Sequence, residues 1–401
     1  MDKKTRTLLI QAALFVTTFF TTTFAGMEWI AGASILGEFD RSDFIAGLYF
    51  SIPFLAILTV HEFGHYIVAR INKVSVSLPY YIPLWLGGIA LSIGTLGAVI
   101  RIREKLTSKT KFFDIGIAGP LAGFVLTLFV LWYGFANLPA RDYIYDIHPE
   151  YEYFGDDFQN YVYDQDTFVL KTDLEQFGRD IPSFYPDTIH LDKDRPMIRV
   201  GSTLLFKFFE TYVVEDKSRI PDSYELYHYP WLFAGFLALF FTALNLLPIG
   251  QLDGGHIVYG LVGQERHYQI SQLLFYGLIF YAGLDITHIL IYQLDFLQAL
   301  WSSGLYLGVL FILVHREIKE PKDRITIAVV IFALQFMVSY FFMEARGYWG
   351  WMVFAFVISR FVGIKHPPTL NDKPLDMNRQ ILGWIALLVF IVSVSPRPFL
   401  I

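Results

Sequence analysis

No cysteine occurs among the 401 residues, so disulfides and thiolate metal ligands are excluded and any bound metal must rest on His, Asp or Glu. Charge is scarce as well. Asp, Glu, Lys and Arg make up 17% of the chain, where a soluble globular protein carries about 25%. The net charge of −6 removes nucleic acid from the candidate partners. No internal repeat, nucleotide-binding fingerprint or PDZ-type domain interrupts the sequence. What remains is 54% hydrophobic, the composition of a chain whose main solvent is a lipid bilayer.

Apolar stretches near the length of a crossing, roughly 20 residues, fall at 7–25, 44–69, 112–133, 231–248, 270–292, 297–314, 325–343, 347–364 and 380–395. The first run exceeds a signal-peptide core of about 7–15 residues, so an uncleaved first span is expected rather than a cleaved leader. Lys and Arg set the orientation. They cluster at Lys3, Lys4 and Arg6, then from Arg70 to Lys111, from Arg316 to Arg324, and from Arg360 to Arg379. Nine spans with a cytoplasmic N-terminus place all four clusters inside. The fold class expected is therefore an all-α polytopic membrane protein of about nine transmembrane helices. No Arg- and Ser-rich transit peptide is seen, which favours a multi-pass protein of a prokaryotic plasma membrane. No sequence feature bears on oligomeric state.

Two segments break the pattern. Between Arg141 and Tyr229 lie 19 acidic and 9 basic residues, the composition of an extracytoplasmic loop or small domain. Within it, residues 197–213 read either as an amphipathic helix at the membrane surface or as core of that domain. Residues 78–101 carry prolines, glycines and β-branched residues, and are expected to form a membrane-associated β-hairpin dipping towards the interior. Irregular backbone at that depth survives only beside protein or a wet cavity. The expected organisation is a first span and outer loop over 1–43, a first catalytic half over 44–137 and an acidic domain over 138–230. A second catalytic half over 231–268 and C-terminal helices over 269–401 complete it.

The chemistry is concentrated in two motifs. His61-Glu-Phe-Gly-His65 ends the second apolar stretch. On a helix this spacing stacks two imidazoles on one face, suited to Zn²⁺, with the intervening glutamate placed to act on water. A purely structural reading is costly there, because two His and a Glu on one face of a lipid-spanning helix all need partners. Catalytic zinc wants a third protein ligand, which this segment lacks. The second motif, Asn245-Leu-Leu-Pro-Ile-Gly-Gln-Leu-Asp-Gly-Gly-His256, ends the fourth span on the same side of the membrane. Asp253 is a hard oxygen ligand flanked by glycines, although Asp-Gly alone reads as an ordinary turn or cap. Asn245 on its own reads as packing or capping in the fourth span. Asp114 reads as a helix start, and Asp285 and His288 as groups reaching the interface.

Together the motifs resemble the site-2 protease family of intramembrane zinc metalloproteases, in which H-E-x-x-H pairs with a distant L-D-G. The resemblance extends to Phe113-Asp-Ile-Gly-Ile-Ala-Gly-Pro-Leu-Ala-Gly123, to Asn245-Leu-Leu-Pro248 and to His366-Pro-Pro368. It is nearest to the branch without a PDZ domain that includes the plastid ethylene-dependent gravitropism-deficient proteins. It implies one Zn²⁺ per chain held by His61, His65 and Asp253, with Glu62 as general base and then proton donor. Asn245 would orient substrate or steady an oxyanion. It also implies single-span transmembrane substrates, such as anti-sigma factors in bacteria. The alternative is a non-proteolytic metal-binding membrane protein or transporter. A transporter wants polar residues strung through several spans, and the inner spans are mostly bare. An inactive homologue would be expected to lack Glu62 or a ligand. A zincin with a cytoplasmic catalytic domain has no large cytoplasmic segment to occupy.

Overall fold

Helix starts follow local capping chemistry. The computed structural model describes residues 2–37, 39–87, 92–163 and 198–400, together with residues 169–170 and 188–189. Helix α1, Lys3–Ile30, begins where the Asp2 side chain accepts from Thr5 N at 2.6 Å. Helix α2, Arg41–Ile71, opens on a capping box in which Asp40 and Asp43 satisfy each other's backbone amides. A hairpin follows, β1 Tyr80–Leu84 against β2 Gly94–Val99, antiparallel with an irregularity between Tyr81 and Pro83. Helix α3, Lys109–Ala136, carries Pro120 and the glycine-rich motif.

The acidic segment starts with α4 Tyr143–Ile147, a 3₁₀ stretch Pro149–Asp157 and α5 Gln159–Val162. Strands β3 Val169–Leu170 and β4 Thr188–Ile189 pair with each other. The rest of the acidic domain over 164–197 lies outside the described residues. Strand β5, Arg199–Val200, precedes α6, Leu204–Tyr212. Within the expected apolar stretch, β5 and α6 are the described elements, and α6 packs on α3 and α7. Phe206 and Phe209 are buried, Phe206 against Phe135 and Phe236, while Leu204, Phe208 and Tyr212 stay exposed on the opposite side.

Helix α7 is Pro230–Leu246, α8 Asp253–Val262 and α9 Gln264–Tyr292. Helices α10 Phe296–Leu313, α11 Pro321–Phe341, α12 Gly350–Val357 with a π-turn to Val362, and α13 Met377–Ser393 complete the helical set. All nine apolar stretches fall on helices. Among the described residues, six helices are long and apolar enough to cross a membrane: α1, α2, α3, α9, α10 and α11. Three are shorter: α7, α12 with its π-turn, and α13. Strand β6, Phe399–Leu400, pairs antiparallel with β5, so the C-terminal residues dock on the acidic segment.

Packing gathers α2, α3, α7 and α8 into the centre. Trp29, Phe50, Phe54 and Phe233 form one aromatic cluster, with Phe50 stacked on Phe233 at 5.5 Å and Trp29 5.0 Å from Phe233. Helices α1 and α2 cross on small residues, where a Cβ on Gly26 would lie 2.9 Å from Gly47 O. The hairpin lies against α1, and polar side chains of α1 meet its backbone. Gln11 donates to Leu78 O at 2.7 Å, Thr21 to Gly94 O at 2.7 Å and Trp29 to Ser92 O at 2.8 Å. Protein thus supplies the partners that lipid cannot. The hairpin tip around Gly88 lies outside the described residues.

Asp114 does not start a helix. Ser108 precedes α3, and Asp114 instead accepts two hydrogen bonds from Arg379, Nε to Oδ1 at 2.6 Å and Nη2 to Oδ2 at 2.9 Å. Arg379 also pairs with Asp376, the N-cap of α13. A planar guanidinium bound to two carboxylates fixes the start of the last helix against α3.

Candidate active site

Helix α2 carries His61 and His65 one turn apart on a buried face, with Glu62 beside them. Their ring nitrogens converge, Nε2 to Nε2 at 3.1 Å. The third group arrives from α8. The chain leaves α7 at Leu246, turns through Pro248 and Gly250, and re-enters a helix at Asp253. Two close approaches make that reversal tight: a Cβ on Gly254 would lie 1.9 Å from Leu246 O, and Gly250 sits at φ +58° with Gly363 O against it. The Asp253 carboxylate Oδ2 then lies 3.2 Å from His65 Nε2 and 3.6 Å from His61 Nε2. Burial alone would raise the Asp253 carboxyl, but His65 and His61 outweigh it and hold it below the usual carboxylate range.

These distances test the fit of a metal. Four ligands about 2.05 Å from a tetrahedral zinc stand about 3.3 Å apart. The three edges observed, 3.1, 3.2 and 3.6 Å, describe one face of such a tetrahedron. The tautomer fits as well. His65 Nδ1 donates to Ile115 O at 2.7 Å, which leaves its Nε2 lone pair for the site. Two imidazole nitrogens and a carboxylate oxygen, with a fourth direction open to a cavity, are the donor set of catalytic zinc. That cavity, of about 440 Å³, is lined by His61, Glu62, Asn245, Asp253 and the β2 residues Leu96–Val99. Asn245, on the last turn of α7, brings Nδ2 to 3.4 Å from His61 Nε2. All five residues singled out from the sequence therefore meet at one place.

The pattern of the family described as Peptidase family M50 matches residues 49–284, which span both motifs and α3. The chain belongs to peptidase family M50. Among curated relatives, it is 25% identical over 313 residues to the probable zinc metalloprotease EGY2, chloroplastic, of Oryza sativa subsp. indica, covering 77% of this chain and 45% of that protein. It is 27% identical over 247 residues to the probable zinc metalloprotease EGY1, chloroplastic, of Arabidopsis thaliana, covering 60% and 33%. The chain spans about half the length of the curated rice relative. No solved structure matches it.

Two parts of this M50 site were not read from the sequence as parts of it. The first is the glycine stripe of α3, which the sequence shows only as part of the motif Phe113–Gly123. A Cβ on Gly119 would lie 2.1 Å from His65 Nε2, one on Gly123 3.1 Å from His61 Cβ, and one on Gly116 2.8 Å from His256 Cβ. The stripe is the floor on which three histidines lie. Its signal in the sequence was the spacing Gly116, Gly119, Gly123, which fixes a smooth helix face but not what rests on it. The second is His366. Its Nε2 is 2.8 Å from His256 Nδ1, and its ring stacks on Tyr259 at 3.9 Å. Burial pushes His256 down to about 3 and His366 down to about 4, so both stay neutral and one ring nitrogen donates to the other. His256 thus supports α8 behind Asp253 rather than adding a ligand. Asp285 and His288 play no part in the site; Asp285 accepts from Trp349 N at 3.3 Å and His288 packs on Tyr292.

Proposed function

We propose that this M50 protein is a zinc-dependent endopeptidase that cleaves transmembrane substrates within or near the bilayer. One observation carries the reading: His61, His65 and Asp253 form a zinc-sized triangle beside Glu62, at a cavity walled by a membrane-length helix. Zinc held by these three side chains supplies a Lewis acid that polarises a carbonyl and acidifies water. Glu62 takes the proton of the attacking water and passes it to the leaving amine nitrogen. The Asn245 amide, placed at the cavity wall, donates to the oxygen on which negative charge develops. A non-proteolytic metal carrier is disfavoured because Glu62, the group able to move a proton, lines the same cavity as the three ligands.

A substrate helix shields its own peptide bonds and must unwind first. Among the described residues, strand β2 pairs only with β1, and its residues Leu96–Val99 line the cavity. The unwound segment adds to β2 by main-chain hydrogen bonding, which presents its carbonyl to the site. Replacing residues 94–99 by a glycine–serine linker is expected to abolish cleavage with zinc still bound; retained cleavage sinks this part of the reading. Substrates are read as single-span membrane proteins, of which a bacterial anti-sigma factor is one class.

The membrane arrangement is proposed from charge and connectivity. Nine crossings with the N-terminus cytoplasmic keep the basic clusters inside. They also put β6 and the acidic segment on the same, outer side, in accord with the β5–β6 pairing. The catalytic halves are then 44–137 and 231–268, separated by the acidic domain. A plasma-membrane location is kept as part of the proposal; the plant relatives are named as chloroplast proteins. The experiment is metal removal. Purified protein with a model single-span substrate in liposomes should cleave, lose cleavage on chelation and regain it with Zn²⁺. Zinc-loaded protein that cleaves no membrane-spanning substrate would overturn the assignment.

A further inference from the structure

A second convergence of metal-binding side chains lies at the other end of α7. His148 follows α4, Glu225 precedes the 3₁₀ turn Leu226–His228 that leads into Pro230, and His228 is the last residue of that turn. Helix α7 runs 17 residues from there to Leu246, about 25 Å at 1.5 Å per residue. His148 Nε2 is 3.1 Å from His228 Nε2, and Glu225 Oε2 is 3.4 Å from His228 Nε2 and 3.7 Å from His148 Nε2. This triangle nearly repeats the one at His61, His65 and Asp253, and its edges bracket the same tetrahedral spacing of about 3.3 Å.

The surrounding bonds are those of a metal site. His228 Nδ1 donates to Ile30 O at 2.7 Å, as His65 Nδ1 does to Ile115 O. That bond leaves His228 Nε2 as a lone-pair donor aimed at the other two groups. Glu225 uses Oε1 to accept from Tyr163 at 2.9 Å and Tyr151 at 3.2 Å, which turns Oε2 towards the imidazoles. The His148 ring is held flat against Tyr151 at 4.5 Å. All three residues are at least 96% buried. Their three ligand atoms, two imidazole nitrogens and a carboxylate oxygen, lie within 4.8 Å of one another, a donor set of the zinc class.

We propose that His148, Glu225 and His228 form a second metal site of the zinc class, structural in role, at the opposite end of α7 from the first. Burial removes it from any substrate, so the ion acts as a staple. It ties the acidic segment after α4 to the last residue of α1 and the first turn of α7, and so holds the outer ends of the helices that carry the hydrolytic site. The inference stands independently of the protease assignment, because metal content is read without activity.

The test is zinc content of the purified full-length protein after dialysis against a weak chelator. Two zinc ions per chain are expected in the unaltered protein. One should remain in His61→Ala/His65→Ala, and one in His148→Ala/His228→Ala. One zinc in the unaltered protein and none in His61→Ala/His65→Ala would overturn the proposal and show a metal-free hydrogen-bonded cluster. If His148→Ala/His228→Ala does not fold, His61→Ala/His65→Ala carries the test alone. Its remaining zinc should show only nitrogen and oxygen neighbours with imidazole scattering by X-ray absorption, and its stripping should lower the unfolding temperature. Unchanged unfolding after stripping would remove the structural role.

Discussion

Glu62→Gln is expected to lower cleavage of a membrane-spanning substrate by about 10²–10⁴-fold, the usual worth of a positioned general base and acid. The amide keeps the size and burial of the carboxylate, so α2 and its two histidines should stay in place and bound zinc should not change. The argument is one of geometry. Glu62 lies next to His61 on the buried face of α2 and lines the cavity towards which the three ligands point. Asp253 is committed to the two histidines at 3.2 and 3.6 Å, and Asn245 cannot accept and return a proton at neutral pH. Parallel measurement of zinc and of initial cleavage rate checks this. Undiminished cleavage by Glu62→Gln would remove Glu62 from the mechanism while leaving the metal site untouched.

Gly119→Ala is expected to weaken zinc binding by about 100-fold or more, at the upper end of the effect of disturbing a ligand's support, and to take cleavage with it. The added methyl carbon would sit 2.1 Å from His65 Nε2, 2.4 Å from Cδ2 and 2.5 Å from Cε1. The ring cannot swing aside cheaply. Its Nδ1 is bonded to Ile115 O one turn earlier on the same helix as Gly119, and Nε2 must keep its distances to His61 and Asp253. Gly277→Ala is the control, since a Cβ there meets nothing within 4 Å. Zinc titration of the two variants, each checked for thermal unfolding, separates loss of the site from loss of the fold. Equal zinc affinity in both would refute the role assigned to Gly119.

Much of this was legible in the sequence because lipid imposes simple rules. Apolar length located the six helices that, among the described residues, are long enough to cross a membrane, because that rule depends on composition over about 20 residues and not on a particular contact. The hairpin was legible from the prolines and glycines of 78–101 combined with its β-branched and aromatic residues. His61 and His65 were legible because i to i+4 on a helix is a fixed distance. Asp253 was legible only through a resemblance, since Asp-Gly has a commoner local use. Its place beside His61 and His65 depends on the reversal at Pro248 and Gly250 between α7 and α8.

Other features have no local signature. Asp114 and Arg379 lie 265 positions apart, and neither sequence neighbourhood states that they pair. His148 stands in an acidic stretch and His228 before an apolar helix, 80 positions apart, with nothing at either place to mark that their rings meet. Gly119 shows in the sequence as a small residue on a helix, never as the surface beneath His65.

By itself, then, the sequence determined the solvent of this protein, the placement of its helices and the chemistry of the H-E-x-x-H turn, because all three are properties of contiguous residues. Tertiary structure decided that His61, His65 and Asp253 converge, which glycines lie beneath the histidines and that a second His–Glu–His cluster exists. Those depend on helices distant in sequence being packed to within about 3 Å at chosen atoms, a precision that only the close packing of the whole bundle supplies.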